Sequence, residues 1–262
     1  MNNSLSISQN FIVDPQLISK IIDTKCQIKE TDVVIDIGAG KGALTFELAK
    51  RCKKVVAYEL DQKLFHDLNA EISKKNFTTI KLTNTDFLQE EDFPDTFKVF
   101  SNIPFSKSAE IVRKLLTTNN LPEQCYLFLE KNTAYRFMGI NGESLLSLNI
   151  AVRYEHSFIW QFQKQDFHPR PNADIVLVLF NKRKEELIEL EDITEFLEFI
   201  DNIFNERKHD LKGALLTVFT FKQLQRIKRD LKIDLKAVPR TLDIHKWAAL
   251  YKLAKSLVIQ NK

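Results

Sequence analysis

This sequence predicts an α/β protein with a mostly parallel sheet, covered by helices on both faces, and a small all-α domain at its C-terminal end. Three observations carry that prediction. Short β-branched runs alternate with helical spacing through the first two-thirds of the 262 residues. Three of only six glycines fall at positions 38, 40 and 42, directly after one such run. Beyond residue 182 the strand pattern stops and amphipathic helical stretches take over.

Taken in order, Thr31 to Ile37 (TDVVIDI) reads as a buried strand ending in the glycine loop. Ala43 to Cys52 has helical spacing, and Lys54 to Glu59 (KVVAYE) is a second strand. Asp61 to Lys74 places Leu64, Phe65, Leu68 and Ile72 on one helical face. The runs Thr79 to Leu82, Lys98 to Ser101, Gln124 to Leu129 and Ile175 to Phe180 all read as buried strands. Strand alternating with helix implies a parallel sheet whose ligand lies beyond the carboxyl ends of the strands.

After Phe180 the segment NKRKEE is a polar linker, so the expected division is 1–182 for the sheet domain and 183–262 for the helical one. Glu191 to Glu206 carries Ile193, Phe196, Leu197, Ile200, Ile203 and Phe204 on one face. Further helices are predicted over His209 to Phe219, Phe221 to Leu231 and Asp243 to Val258. The last follows the breaker Pro239, with an N-cap at Thr241 or Asp243. No internal repeat or low-complexity segment interrupts the chain.

Composition narrows the function classes. At 44% hydrophobic the chain can bury one large core and a smaller one. Cys26, Cys52 and Cys125 have neither paired number nor CxxC spacing, which argues against a disulfide framework or a zinc site and for a reduced cytosol. No stretch approaches the roughly 18 apolar residues of a membrane span. His66, His156, His209 and His245 are scattered without metal spacing, so no metal is expected.

Charge is unevenly spread. Residues 207–262 hold 14 Lys and Arg against 4 Asp and Glu, an excess of ten positive charges; with a net charge of +3, residues 1–206 carry −7. A basic tail on an acidic body is the footprint of a protein that grips a phosphate backbone, although solvated Lys-rich helix faces give the same count. Arg226, Lys228, Arg229 and Lys232 are the candidate phosphate contacts in that tail.

Asp36-Ile37-Gly38-Ala39-Gly40-Lys41-Gly42 concentrates residues that tolerate positive φ and close approach of a ligand. Its GxGxG spacing is not the GxGxxG of a dinucleotide site, and no GxxxxGK[ST] is present. Gly38 and Gly40 are therefore candidate cofactor contacts. Glu59 ends the second strand, where a carboxylate can accept from both hydroxyls of a ribose. Asp86-Phe87 follows the third strand; Asp86 suits an exocyclic adenine amine and equally suits a helix cap.

Ser101-Asn102-Ile103-Pro104-Phe105 points to methyl transfer onto an exocyclic amine. The lone pair of adenine N6 is delocalised into the ring, so catalysis must favour a pyramidal nitrogen aimed at the methyl donor. The Asn102 side-chain carbonyl and the Ile103 backbone carbonyl can accept the two N6 hydrogens. Pro104 holds the turn, and Phe105 offers a ring on which a base can stack.

These motifs resemble, in order and spacing, the rRNA adenine N6-dimethyltransferases. The resemblance rests on Gln9-Asn10-Phe11, the glycine loop, Glu59, Asp86-Phe87, Ser101 to Phe105 and Phe167-His168-Pro169-Arg170-Pro171, and runs from about residue 8 to 182. It implies a Rossmann-like class I methyltransferase sheet, S-adenosylmethionine as cofactor and rRNA as substrate, naked or in pre-ribosomal particles. It also implies that Asn10 and Ile12 close over the cofactor, that Gly38 meets its methionine part, Glu59 its ribose and Asp86 its adenine, and that Asn102 binds both cofactor and target. Phe105 and Phe167 would form opposite walls of the target pocket, although Phe167 also reads as core packing. Arg136 matches a stretch that would meet RNA phosphate, or would serve a salt bridge.

Within that superfamily Asn-Ile-Pro-aromatic looks more like the erythromycin-resistance enzymes, which implies 23S rRNA as target and macrolide resistance; the small-subunit dimethyladenosine transferases, active in ribosome maturation, usually show Asn-Leu-Pro-Tyr. The chain departs from the family at Phe105, where Tyr is common, and at Lys107-Ser108. A non-catalytic RNA-binding assembly factor is the contrasting class, and the intact site motifs speak against it. A cytoplasmic monomer is expected.

Overall fold

The computed structural model describes residues 10–117, 120–206 and 210–260, without the side chains of 258–260. Gln9 of the first motif and His209, the predicted start of a helix, lie outside the described residues. The chain divides into two compact units: Met1–Ala134 with Tyr154–Lys182, and Tyr135–Arg153 with Arg183–Lys262. The boundary expected at residue 182 therefore misassigns residues 135–153, which group with the helices. They supply Leu148, Ala151 and Val152 to the same apolar core as Phe196, Ile200 and Trp247.

In the first unit, β1 (Phe11–Ile12) precedes α1 (Pro15–Lys25), which starts where Asp14 accepts from the Gln16 N–H at 2.8 Å and Pro15 occupies the first turn. Then follow β2 (Val33–Ile37), α2 (Ala43–Ala49), β3 (Lys54–Tyr58), α3 (Gln62–Lys74), β4 (Ile80–Thr83), β5 (Lys98–Ser101), α4 (Ser108–Thr117) and β6 (Gln124–Glu130). After α5 (Lys131–Phe137) and α6 (Leu145–Ala151) come β7 (Tyr154–Gln161), β8 (Phe167–His168) and β9 (Ile175–Lys182).

The main sheet has seven strands in the order β4-β3-β2-β5-β6-β9-β7, and a separate two-stranded pair joins β1 to β8. Five strands are parallel, but β9 runs antiparallel to β6 and β7 antiparallel to β9. The regular alternation predicted from the sequence thus ends at β6. β7 escaped prediction because its residues are mostly half-buried or exposed and its register shifts between Phe158 and Trp160, which breaks the two-residue period.

Strand order reverses between β2 and β5. From β2 the chain builds outward to β3 and β4, then returns to place β5 on the other flank, so the connections leave in opposite directions and a crevice opens at the carboxyl ends. The β2–β5 ladder is short, with Val34 opposite Lys98 and Ile35 opposite Val99. Side chains secure it at both ends. At the entry, the buried Lys98 Nζ lies 2.7 Å from Asp32 Oδ2 and donates to the Gln27 carbonyl. At the exit, the Ser101 hydroxyl donates to the Ile37 carbonyl at 2.7 Å and accepts from the Ile37 N–H at 3.1 Å.

The core of this unit joins Val34, Val55, Phe100, Tyr126 and Leu177 from the sheet to Ile18, Ile22, Leu44 and Leu48 from α1 and α2. The second unit contains α6, α7 (Ile193–Asn205), α8 (Leu211–Leu215), α9 (Phe221–Asp230) and α10 (Ile244–Gln260).

Replacing Ser101 by Ala strips both partners from a buried Ile37 peptide, which costs about 1–3 kcal/mol. The expected result is a lower urea midpoint at unchanged slope and faster exchange of the Ile37 amide. Wild-type exchange at Ile37 would show that the clasp does not hold the strand ends.

Candidate functional site

Two cavities open in the crevice at the ends of β2 and β5. The larger, of about 430 Å³, is bounded by the β3 end (Tyr58 to Asp61), the turn Thr85 to Leu88, and Pro104, Ser106, Lys107 and Ile111. The smaller, of about 30 Å³, is a recess lined by Asn10, Phe11 and the turn Asn102 to Phe105. Gly38 and Pro104 line both, and a Cβ on Gly38 would sit 3.5 Å from Pro104 Cδ at their junction.

The glycine loop takes its shape from positive φ at Gly38 (72°), Gly40 (57°) and Gly42 (81°), a region that L side chains enter only with strain. Glu59, 1% exposed, fastens it: Oε2 accepts from the Gly40 N–H at 2.7 Å and Oε1 from the Asp61 N–H at 2.8 Å. A carboxylate has about four acceptor positions, so each oxygen keeps capacity for a ligand hydroxyl. Gly40 itself lies under the Phe11 ring, whose Cε1 would be only 2.6 Å from an added Cβ.

Asp86 caps a single helical turn, its Oδ1 accepting from the Leu88 N–H at 2.9 Å, and the residue also lines the larger cavity. Phe87 lines it too, held edge-on against Tyr58 at 5.5 Å. Leu60, beside Glu59, is 61% exposed in the cavity wall. Acidic acceptors at two strand ends with an uncovered aliphatic side chain between them suit an adenosyl group with its ribose and amine. These residues fit the S-adenosylmethionine that the resemblance implies.

Asn102 stands in the lining of the recess. Its Nδ2 donates to the Asn10 carbonyl at 2.7 Å, which turns Oδ1 the other way, and that oxygen is buried with no hydrogen-bond partner among the described residues. A buried acceptor without a donor is costly unless a ligand supplies one. Pro104 sets the turn with φ of −57°, and Phe105 lines the recess. Ile103, 1% exposed, also lines the recess.

Two predicted residues are placed elsewhere. Ile12 is buried in the core, because alternation along β1 turns Phe11, not Ile12, toward the glycine loop. Phe167, 2% exposed, is also core, edge-on to Phe162 at 5.4 Å, and lines neither cavity; its backbone pairs with Ile12 across β1 and β8. The packing reading of Phe167 is the one this structure realises. Phe11, Leu60, Ser106, Lys107 and Ile111 line the cavities, although the sequence assigned none of them a contact; alternation from Asn10 and adjacency to Glu59 were the available signals for the first two.

The candidate RNA contacts belong to the second unit. Arg136 is exposed on α5. Arg226, Lys228 and Arg229 are exposed on α9, and Lys232 follows with φ of 50°. Arg229 Nε lies 2.8 Å from Asp230, and Arg226 Nε 3.6 Å from it. Among the described residues no three His, Cys, Asp or Glu gather as a metal site, and no helix is long and apolar enough to cross a membrane.

Behind the glycine loop lies a carboxyl in a dry environment. Burial pushes Asp36 up to about 7, against the Thr45 hydroxyl that donates to it at 2.6 Å, with the nearby Glu59 charge adding to the rise. A folded-state value above the unfolded one means that Asp36 favours folding below about pH 4 and that this contribution is lost as pH rises through 7. Asp36→Asn keeps an acceptor for Thr45 and does not titrate. The stability of the wild type relative to this variant should therefore fall between about pH 4 and pH 7, measured by urea unfolding. A difference independent of pH would place the titration of Asp36 outside that window.

Comparison with known proteins agrees with this geometry. The family model described as ribosomal RNA adenine dimethylase matches residues 1–256. The ribosomal RNA small subunit methyltransferase A of Mycoplasmopsis pulmonis is 34% identical over 215 residues, covering 80% of this chain and 82% of the relative. The protein of the same name from Mycoplasma mobile is 29% identical over 95% of this chain and 97% of its own. Among solved structures, the 23S rRNA methyltransferase ErmE superposes with a TM-score of 0.84 at 24% identity, over 94% of this chain and all of that one, a likeness of fold. The chain belongs to the ribosomal RNA adenine dimethylase family and is an S-adenosylmethionine-dependent rRNA adenine dimethyltransferase.

Proposed function

We propose that this enzyme methylates N6 of an adenine in small-subunit rRNA, twice, as a step in ribosome maturation, and that it works in the cytosol with that substrate. The buried, unpartnered Oδ1 of Asn102 carries the chemical part of this reading. The names of the relatives, matched over 80 to 95% of this chain, support the choice of subunit.

The implied 23S target and macrolide resistance rest on Ile103 in place of Leu. Ile103 is 1% exposed, so an exchange of Ile for Leu there offers almost no surface with which to read a nucleotide. A target preference belongs to side chains that face the RNA. The small-subunit reading is therefore the better supported of the two.

The residues act as follows. The Asn10 carbonyl fixes the Asn102 amide, so that Oδ1 accepts one N6 hydrogen and the Ile103 carbonyl the other. Phe105 supports the base by stacking, which requires the adenine to be out of its own stack. Held this way, the nitrogen lone pair is drawn out of conjugation with the ring, and the N6 proton is lost only after transfer. Glu59, Asp86 and Gly38 hold the cofactor. When bound, S-adenosylmethionine supplies a methyl group on a positively charged sulfur.

Asn102→Ala should lower turnover by about 10²–10³-fold, the scale of losing one aligned transition-state contact, with the unfolding midpoint little changed. Turnover equal to wild type would sink the mechanism. The target is tested by supplying radiolabelled S-adenosylmethionine with immature small subunits and, separately, naked large-subunit rRNA. Label recovered as N6-dimethyladenosine in small-subunit RNA is expected. Label confined to large-subunit RNA would reverse the assignment.

A further inference from the structure

We infer that the solvent face of α9 is a second RNA-docking surface, on which Phe221 stacks against an unpaired base while Lys222, Arg226 and Arg229 meet the flanking phosphates. The inference rests on the rRNA substrate proposed above and adds a partner surface to it.

α9 buries Leu224 and Ile227 in the core of its own unit. At 100° per residue, the opposite arc reads Lys228, Phe221, Gln225, Arg229, Lys222, Arg226. Every one of these is exposed, Phe221 at 57% and the Arg226 and Arg229 side chains at 80% and 76%. Lys222, Arg226 and Arg229 stand four and three residues apart, which sets three cations along a line of about 10 Å. Asp230 is the one acid of the helix. Lys212 adds a further cation, its Nζ 5.4 Å from the Phe221 ring centre. A capping box between Thr220 and Gln223 holds the first turn, so Phe221 sits on a rigid element.

An aromatic ring left in water amid cations asks for a partner with both flat apolar faces and negative charge. Single-stranded or looped RNA has both, and stacking on an aromatic side chain needs no particular base. A membrane surface fits poorly, because the apolar face that such a helix would insert is already buried in the core. An acidic protein would satisfy the cations but gives no reason for a lone exposed ring.

The test uses the full chain with three probes: naked small-subunit rRNA and naked large-subunit rRNA, both transcribed in vitro, and the immature small ribosomal subunit. Affinity is measured across a salt series, and cofactor affinity in parallel. Phe221→Ala should weaken RNA binding about tenfold at an unchanged salt slope, with Phe221→Trp restoring it. The triple variant Lys222→Gln, Arg226→Gln, Arg229→Gln should lower the slope of log affinity against log salt by about 2, the release expected for three phosphates of a single strand. S-adenosylmethionine affinity should not move in any variant. Wild-type binding of both RNAs by these variants would overturn the inference, even with methylation intact. Wild-type binding of naked RNA together with weakened binding to the ribosomal particle would overturn it in favour of a protein partner. Should methylation fall on large-subunit RNA while the variants still bind it weakly, the α9 inference stands and the small-subunit assignment fails.

Discussion

The junction of β2 and β5 is the constraint on which the rest of this structure depends. Two strands that belong to opposite-going halves of the sheet are paired there over only two positions. The Lys98–Asp32 ion pair closes one end of that ladder and the Ser101 hydroxyl the other. Because backbone pairing stops before the strands do, their last residues are joined through the Ser101 side chain alone, and the glycine loop and the Asn102 turn emerge beyond it side by side. A longer ladder would seal the crevice. The side-chain clasps allow it to stay open without leaving the Ile37 peptide unpaired.

Much of this was legible in the chain because it rests on backbone chemistry. A glycine at 38, 40 and 42 predicts positive φ, and positive φ is what the loop has. The buried strands β2, β3, β5 and β6 were equally legible, since strands covered on both faces read as unbroken apolar runs. Burial on one face only, as at the sheet edge, dilutes that signal, and a bulge erases it; β7 has both features. Residues 135–153 were misassigned for a different reason. Position in the chain says nothing about which core a helix joins when the chain leaves a unit and later returns.

The site residues divide along the same line. Asn102 and Pro104 act through short-range geometry that a motif specifies, and their placement follows from the motif. Ile12 and Phe167 depend on which way a two-residue strand faces, and a shift of one residue turns the opposite side chain inward. The surface proposed to face RNA was visible as a charge excess, but the ring of Phe221 among the cations emerges only when the helix is wound and Leu224 and Ile227 are seen to be buried.

The hydrogen bond from Asn102 to the Asn10 carbonyl ties the reacting end of the site to the edge of the smallest β-structure in the molecule, the two-residue pair of β1 and β8. Such short pairs open at low free energy, well below global unfolding. An opening of this pair would release the amide, leaving it free to rotate by half a turn and to present its NH₂ where the carbonyl oxygen had been. An amine brought to a donor instead of an acceptor is repelled. Under the mechanism proposed above, the fraction of molecules competent to react therefore depends on a local equilibrium outside the main sheet, and a substitution that loosens β1 would lower turnover without touching either ligand.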